Sequence, residues 1–232
     1  MPTKDSFPVL FEDEHLIAIN KPTHILVHRT NISEDTRFVL QILRKQIGQR
    51  VYPVHRLDRA TSGVLLFGKN SEITEKVSSV FRHRQVEKIY WGIVRGYLDK
   101  QGEIDYPLAK EKWLPKKEAV SYYRLLDQTE LPVAIGPYPT ARYSWVEIQL
   151  ETGRRHQIRR HFAHLRHPII GDKKYGDVKH NNYWRDYFGI DRMLLHACRI
   201  RLQHPESKTL LDIEAPLDEA FRKSMNLLGF SG

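Results

Sequence analysis

Strand-type and helix-type segments follow one another along this chain in a mixed order, and that order limits the folds open to it. Val9–Glu12 and Leu16–Asn20 flank Asp13-Glu14-His15 and read as a hairpin, ended by Lys21-Pro22. Over Thr36–Gly48 the spacing predicts a helix, with Phe38, Val39, Ile42, Leu43 and Ile47 on one face and Gly48 as its stop. Val51–Val54 is a short strand candidate, and Gly63–Gly68 is apolar throughout, as in a buried strand. Ser71 is expected to cap a helix carrying Ile73, Val77, Val80 and Phe81. Ile89–Tyr97 alternates, with Tyr90, Gly92 and Val94 on one face. The charged stretch Lys110–Lys117 reads as an exposed loop. Strands are expected at Val120–Leu126 and Tyr143–Leu150, around the turn-rich Gly136-Pro137-Tyr138-Pro139. After Glu151-Thr152-Gly153 comes a helix with Ile158, Phe162 and Leu165 inward. Strands at Met193–Leu202 and Leu210–Ile213 and a helix over Pro216–Leu228 close the chain. Many strands with few helices predict an α+β fold, a mostly antiparallel mixed sheet flanked by helices.

Composition narrows the function. A chain of 232 residues with one cysteine, Cys198, has no internal disulfide and no paired-cysteine zinc ribbon. It has no apolar run long enough to span a bilayer and no secretory leader, so a cytoplasmic protein away from membranes is expected. Net charge is +9, which attracts polyanions. The charge is concentrated: Arg154–Lys174 holds five arginines, two lysines and one acid, Asp172. Such a stretch is either a solvated helix face or a track for phosphates.

Two segments carry candidate chemistry. In His55-Arg56-Leu57-Asp58-Arg59-Ala60-Thr61-Ser62-Gly63 one carboxylate sits among two arginines and a histidine. Nearby cations favour the ionised carboxylate and so a ready nucleophile. The plain alternative is a structural ion pair in a turn. In Gly153-Arg154-Arg155-His156-Gln157-Ile158-Arg159-Arg160-His161, Arg155 and Arg159 stand four apart and are expected to share a helix face. Their planar guanidinium groups suit a phosphate or a catalytic carboxylate.

These segments resemble the motifs of the RluA-type pseudouridine synthases. The first matches that family's HRLDxxTSG motif. Lys88–Gly96 resembles its second motif, which carries a tyrosine. The third matches GRTHQIRxH except that Arg155 replaces the threonine. His167-Pro168-Ile169-Ile170-Gly171-Asp172 and Leu194-Leu195-His196-Ala197 match later motifs. The resemblance spans roughly residues 9–214. It implies a single catalytic domain over residues 1–232, without an S4-type RNA-binding extension and with a central basic cleft, that isomerises uridine in structured RNA. It implies Asp58 as the nucleophile and Arg56 as the side chain that enters the RNA stack when the base leaves. Tyr90 would pack on the target base, and Arg159 would pair with the catalytic aspartate. Arg154, Arg155 and Lys173 are expected to bind RNA. Because the product is an isomer of the substrate, no metal, redox partner or other cofactor is expected. Val27-His28-Arg29 and the insertion Leu131–Tyr143 resemble the branch acting on the uridine at tRNA position 65, so tRNA is the expected partner of a monomeric enzyme.

Other readings fit less well. An rRNA-directed relative is the alternative within the family, and a catalytically silent RNA-binding module the alternative outside it. Gly63–Asn70 nearly fits a phosphate-binding GxxxxGK[ST] loop, but position 70 is Asn and the middle is a strand core. His161, His164 and His167 form no His-Glu-x-x-His metal pair and are expected to face RNA or serve structure. A glycosidase needs a second carboxylate near Asp58, and none adjoins it in sequence.

Overall fold

The computed structural model describes residues 6–28, 36–111 and 113–231. Its elements run β1 (Val9–Glu12), β2 (Leu16–Lys21), α1 (Val39–Ile47), β3 (Tyr52–Pro53), β4 (Ser62–Gly68), α2 (Ser71–Arg82) and β5 (Val86–Arg95). There follow β6 (Gln101–Asp105), β7 (Leu108–Ala109), β8 (Lys116–Lys117), β9 (Val120–Leu131) and β10 (Ala141–Leu150). The chain closes with α3 (Gln157–His164), α4 (Val178–Phe188), β11 (Leu195–Gln203), β12 (Leu210–Glu214) and α5 (Glu219–Leu228). Two compact units result, one of Met1–Lys88 with Ala197–Pro216, the other of Ile89–His196 with Leu217–Gly232.

In the first unit β2 pairs antiparallel with β1 and with β4, and β12 pairs antiparallel with β11. β2 and β4 are buried along almost their whole length, which explains their near-continuous apolar sequence. The core joins Leu16, Ala18, Val64 and Leu66 of these strands to Ile200 and Leu202 of β11 and to Ile73 and Val77 of α2. Burying each of the leucine, valine and isoleucine side chains among them contributes about 1.5–3 kcal/mol. Gly63 sits at φ 114, and a Cβ there would lie 2.1 Å from the Ala197 carbonyl oxygen. Only glycine allows β4 this approach.

In the second unit β10 pairs antiparallel with β5 and β9, and β9 with β6. Tyr143, Trp145, Trp184, Leu194, Phe221 and Met225 form its core. Trp91 meets Trp145 edge-on at 5.3 Å between ring centroids, the arrangement that aromatic quadrupoles prefer. The fold is α+β, with antiparallel pairing in each unit, as expected.

Several local expectations change. Asn70, one residue before Ser71, caps α2, its Oδ1 accepting from the Ile73 N–H at 2.9 Å. α5 starts at Glu219 behind an Asp218 cap, so Pro216 precedes the helix and does not occupy its first turn. The stretch Lys110–Lys117 is bracketed by a small β7–β8 pairing, with Leu108 opposite Lys117. α4 was not anticipated. Its Asn- and His-bearing sequence has weak apolar periodicity, and only His180 and Trp184 of its residues are buried. The Asp177 cap and the left-handed Gly189 that ends the helix are its clearest sequence signals.

Candidate active site

Asp58 occupies the loop between β3 and β4 in the first unit and is half-buried. The Thr61 N–H donates to the Asp58 carbonyl at 3.1 Å, closing a turn. Lys21, fully buried, staples that turn from β2. Its Nζ donates to the carbonyls of Thr61 at 2.7 Å, Arg59 at 3.3 Å and Pro22 at 2.7 Å. The Thr23 hydroxyl adds a bond to the Ala60 carbonyl at 2.9 Å. A buried ammonium is tolerated only with its donors satisfied, so Lys21 fixes the loop that carries the carboxylate. In the sequence Lys21 had registered only as the end of a strand. Arg56 is exposed. The His28 imidazole is held below its ordinary pKa by burial and then by the Arg56 charge. Arg29 lies outside the described residues.

His55, expected as part of the charged surround of Asp58, is turned to another task. Its Nε2 accepts the Leu66 N–H of β4 at 3.1 Å, and its ring stacks on Phe81 of α2 at 4.9 Å. Burial, followed by the Lys88 charge, lowers its pKa to about 3. It is therefore a neutral structural acceptor at physiological pH. The sign of the consequence is fixed: below about pH 6.5 the unfolded chain takes up a proton that the folded chain refuses until about pH 3. Stability falls over that window as pH drops, by roughly 1–2 kcal/mol between pH 7 and pH 5. His55→Gln, which keeps an acceptor but does not titrate, is expected to flatten this part of the profile in urea denaturation at a series of pH values. An unchanged slope would show that other groups carry it.

Tyr90 lies in β5, opposite Ile148 of β10, and is 9% exposed. It shares a strand face with Gly92, where a Cβ would lie 3.5 Å from Ile169 Cδ1 and 3.7 Å from Leu195 Cδ1. In the same unit Arg159 makes a two-pronged ion pair with Asp172. Its Nε donates to Oδ2 and its Nη2 to Oδ1, both at 2.8 Å. Asp172 Oδ1 also accepts the backbone N–H groups of Lys174 at 2.9 Å and Tyr175 at 3.1 Å. Burial alone would raise the Asp172 pKa. The Arg159 guanidinium and these two N–H groups outweigh it and hold the carboxyl below its usual value. The guanidinium lies over the Tyr175 ring at 5.1 Å, and the Tyr175 hydroxyl bonds His156 Nδ1 at 3.0 Å. Asp172 and Tyr175 were not expected as partners of Arg159. The signal for Asp172 was its position as the one acid in a strongly basic stretch.

The expected shared face of Arg155 and Arg159 is not formed. His156 adopts φ 56, in the left-handed region, so α3 begins only at Gln157. Arg155 lies before the helix, exposed and paired with Glu111 at 3.2 Å, while Arg159 is buried. Arg154 Nε donates to the Glu118 carbonyl at 2.8 Å. Lys173 is exposed and meets Asp191 at 2.9 Å. Exposed ion pairs contribute only ~0–1 kcal/mol, so phosphate oxygens can replace these carboxylates at small cost. The three histidines have separate structural contacts. His161 Nε2 meets the Tyr106 carbonyl at 3.1 Å, His164 stacks on Tyr106 at 3.7 Å, and His167 Nδ1 meets the Arg95 carbonyl at 2.8 Å. Among the described residues no group of three or more His, Cys, Asp or Glu could hold a metal ion, and no helix is long and apolar enough to cross a membrane.

Residues 15–164 match the model of the RNA pseudouridylate synthase family. The chain belongs to that family. It is 44% identical to tRNA pseudouridine synthase C of Vibrio cholerae, over 96% of each chain. It is 45% identical to the protein of the same name from Yersinia pestis, over 97% of this chain and 91% of the relative. Two solved human structures share the fold. RNA Pseudouridylate Synthase Domain Containing 4 has a TM-score of 0.76 at 23% identity, covering 97% of this chain and 94% of that one. RNA Pseudouridylate Synthase Domain Containing 1 has a TM-score of 0.73 at 22% identity, covering 94% and 86%. As a family member the protein is an RNA pseudouridine synthase. The matched segment holds Asp58, Tyr90 and Arg159 and ends before Asp172.

Proposed function

We propose that this pseudouridine synthase isomerises one uridine of tRNA, at position 65, with Asp58 as the nucleophile. Similarity at 44–45% identity to two tRNA pseudouridine synthases C, across nearly the whole of each chain, carries the choice of tRNA. In the reaction the bond from C1′ to N1 breaks and a bond from C1′ to C5 forms. The proton leaves C5, and N1 ends protonated. Atoms balance without a donor or an oxidant, so the chain's own groups suffice. The Asp58 carboxylate attacks, forming a covalent intermediate, and is displaced when the new bond forms. The target base must first leave its stack. Arg56, exposed on the same loop, fills the space left behind, and Tyr90 offers its ring to the base. Arg159, locked by Asp172, supplies a fixed positive charge for the reacting carboxylate and base. Arg154, Arg155 and Lys173 bind phosphates. Both units serve this one reaction as a single catalytic domain, working as a monomer in the cytoplasm, where its tRNA substrates reside.

The test is pseudouridine mapping on separate pools of unmodified tRNA and rRNA incubated with the protein. One new site in the T-stem region of tRNA is expected. A site in rRNA alone would reject the tRNA reading and keep the isomerase.

A further inference from the structure

A cavity of about 350 Å³ lies in the second unit, between the 135–138 turn, the end of β5 and the start of α4. Its volume falls within the ~300–1,000 Å³ of small-ligand sites. Arg95, Tyr138, Asp177, Val178, Lys179 and His180 line it. Arg95 is fixed, its Nη1 donating to Asp177 Oδ2 at 2.5 Å and its Nη2 to the Arg166 carbonyl at 3.2 Å. Asp177 is committed twice over, since its Oδ1 also accepts the N–H groups of Lys179 and His180. Lys179 is exposed and forms no ion pair with any described residue. Its side chain runs beside the Gly136 turn, 3.4 Å from where a Cβ would stand. Tyr138 leaves 66% of its surface open.

His180 adds a polar side chain to this lining. It is 93% buried, with 7% exposure, yet it lines the cavity. Its Nδ1 bonds the Tyr143 hydroxyl at 3.1 Å, and its Nε2 has no hydrogen-bond partner among the described residues. Burial holds the ring neutral. Where the Tyr143 hydroxyl donates to Nδ1, Nε2 carries the ring proton and can donate. The cavity thus offers two cations against one spent acid, an imidazole and an open aromatic face.

We propose that this cavity takes an unpaired nucleotide of the substrate RNA, distinct from the target uridine, and so helps select the RNA. The inference rests on the RNA substrate proposed above. Tyr138 stacks on the base, Lys179 and Arg95 face its phosphate, and His180 Nε2 donates to a base or phosphate oxygen. Unpaired nucleotides are the part of RNA that stacking on aromatic side chains can read.

The experiment uses the full chain and unmodified tRNA transcripts. Filter binding at several salt concentrations is compared for wild type, Tyr138→Ala, Lys179→Ala and Lys45→Ala, the last an exposed lysine on α1. Ultraviolet crosslinking with peptide mass spectrometry is run in parallel on wild type. Tyr138→Ala is expected to weaken binding about tenfold. Lys179→Ala should weaken it and reduce the salt slope by about one. Wild type should crosslink in the peptide containing Tyr138, and Lys45→Ala should match wild type. Unchanged affinity in both cavity variants, or an equal loss in Lys45→Ala, would overturn the site. A Tyr138 crosslink formed by a protein that makes no pseudouridine would sink the isomerase reading and keep this one.

Discussion

Replacing Asp58 with asparagine is expected to lower pseudouridine formation by at least about 10⁴-fold, with tRNA affinity and thermal stability close to wild type. Removing a covalent nucleophile costs on this scale because no neighbouring group takes over bond formation. Asparagine keeps the side chain's size and a carbonyl oxygen but is not a nucleophile of comparable strength. The loop itself should survive, because its fixed points are backbone groups: the Thr61 N–H on the Asp58 carbonyl, and Lys21 on the carbonyls of Arg59 and Thr61. The check is single-turnover product formation beside filter binding and a melting curve. A variant with a rate within tenfold of wild type would remove Asp58 from the role of nucleophile.

Asp172→Ala is expected to have the largest effect on stability. Asp172 is 1% exposed and Arg159 10% by side chain, so losing the carboxylate strips a buried guanidinium of its two-pronged bond. Breaking a buried pair in this way costs about 3–5 kcal/mol. The alanine variant also strands the N–H groups of Lys174 and Tyr175, which share Asp172 Oδ1. At this chain length each kcal/mol moves the melting temperature by roughly 2–4 °C, so a fall of about ten degrees is anticipated in calorimetry. The double variant Asp172→Ala with Arg159→Leu removes both charges and should recover much of that stability. It should not recover activity, because Arg159 is proposed to act in the reaction. Activity restored in the double variant would reduce Arg159 to a structural residue.

The parts of this account that were legible in the sequence are those written in local pattern. The β1–β2 hairpin, the buried run of β4, the α1 and α2 faces and the Asp58 motif all rest on periodicity or on contiguous residues. Elements whose reason lies elsewhere in the chain were missed. α4 sets His180 and Trp184 against Tyr143, a contact across 37 residues for the histidine, and shows little periodicity of its own. Lys21 becomes a loop support only when β2 lies beside the residues around Ala60. Asp172 becomes the anchor of Arg159 only when a turn 13 residues on folds back. The reading of Arg155 with Arg159 failed for a local reason that spacing does not reveal. His156 turns into the left-handed region, and the helix begins only at Gln157.

The most direct measurement is tritium release from a tRNA transcript carrying uridine labelled at C5, incubated with purified protein in chelator and with no added cofactor. Bond formation at C5 expels the label, so release reports isomerisation and nothing upstream of it. One equivalent of tritium per tRNA, absent with Asp58→Asn and with no change in the mass of the RNA other than loss of the label, is the predicted result. Release that Asp58→Asn leaves intact, or bound tRNA with no release at all, would contradict an Asp58-dependent tRNA isomerase.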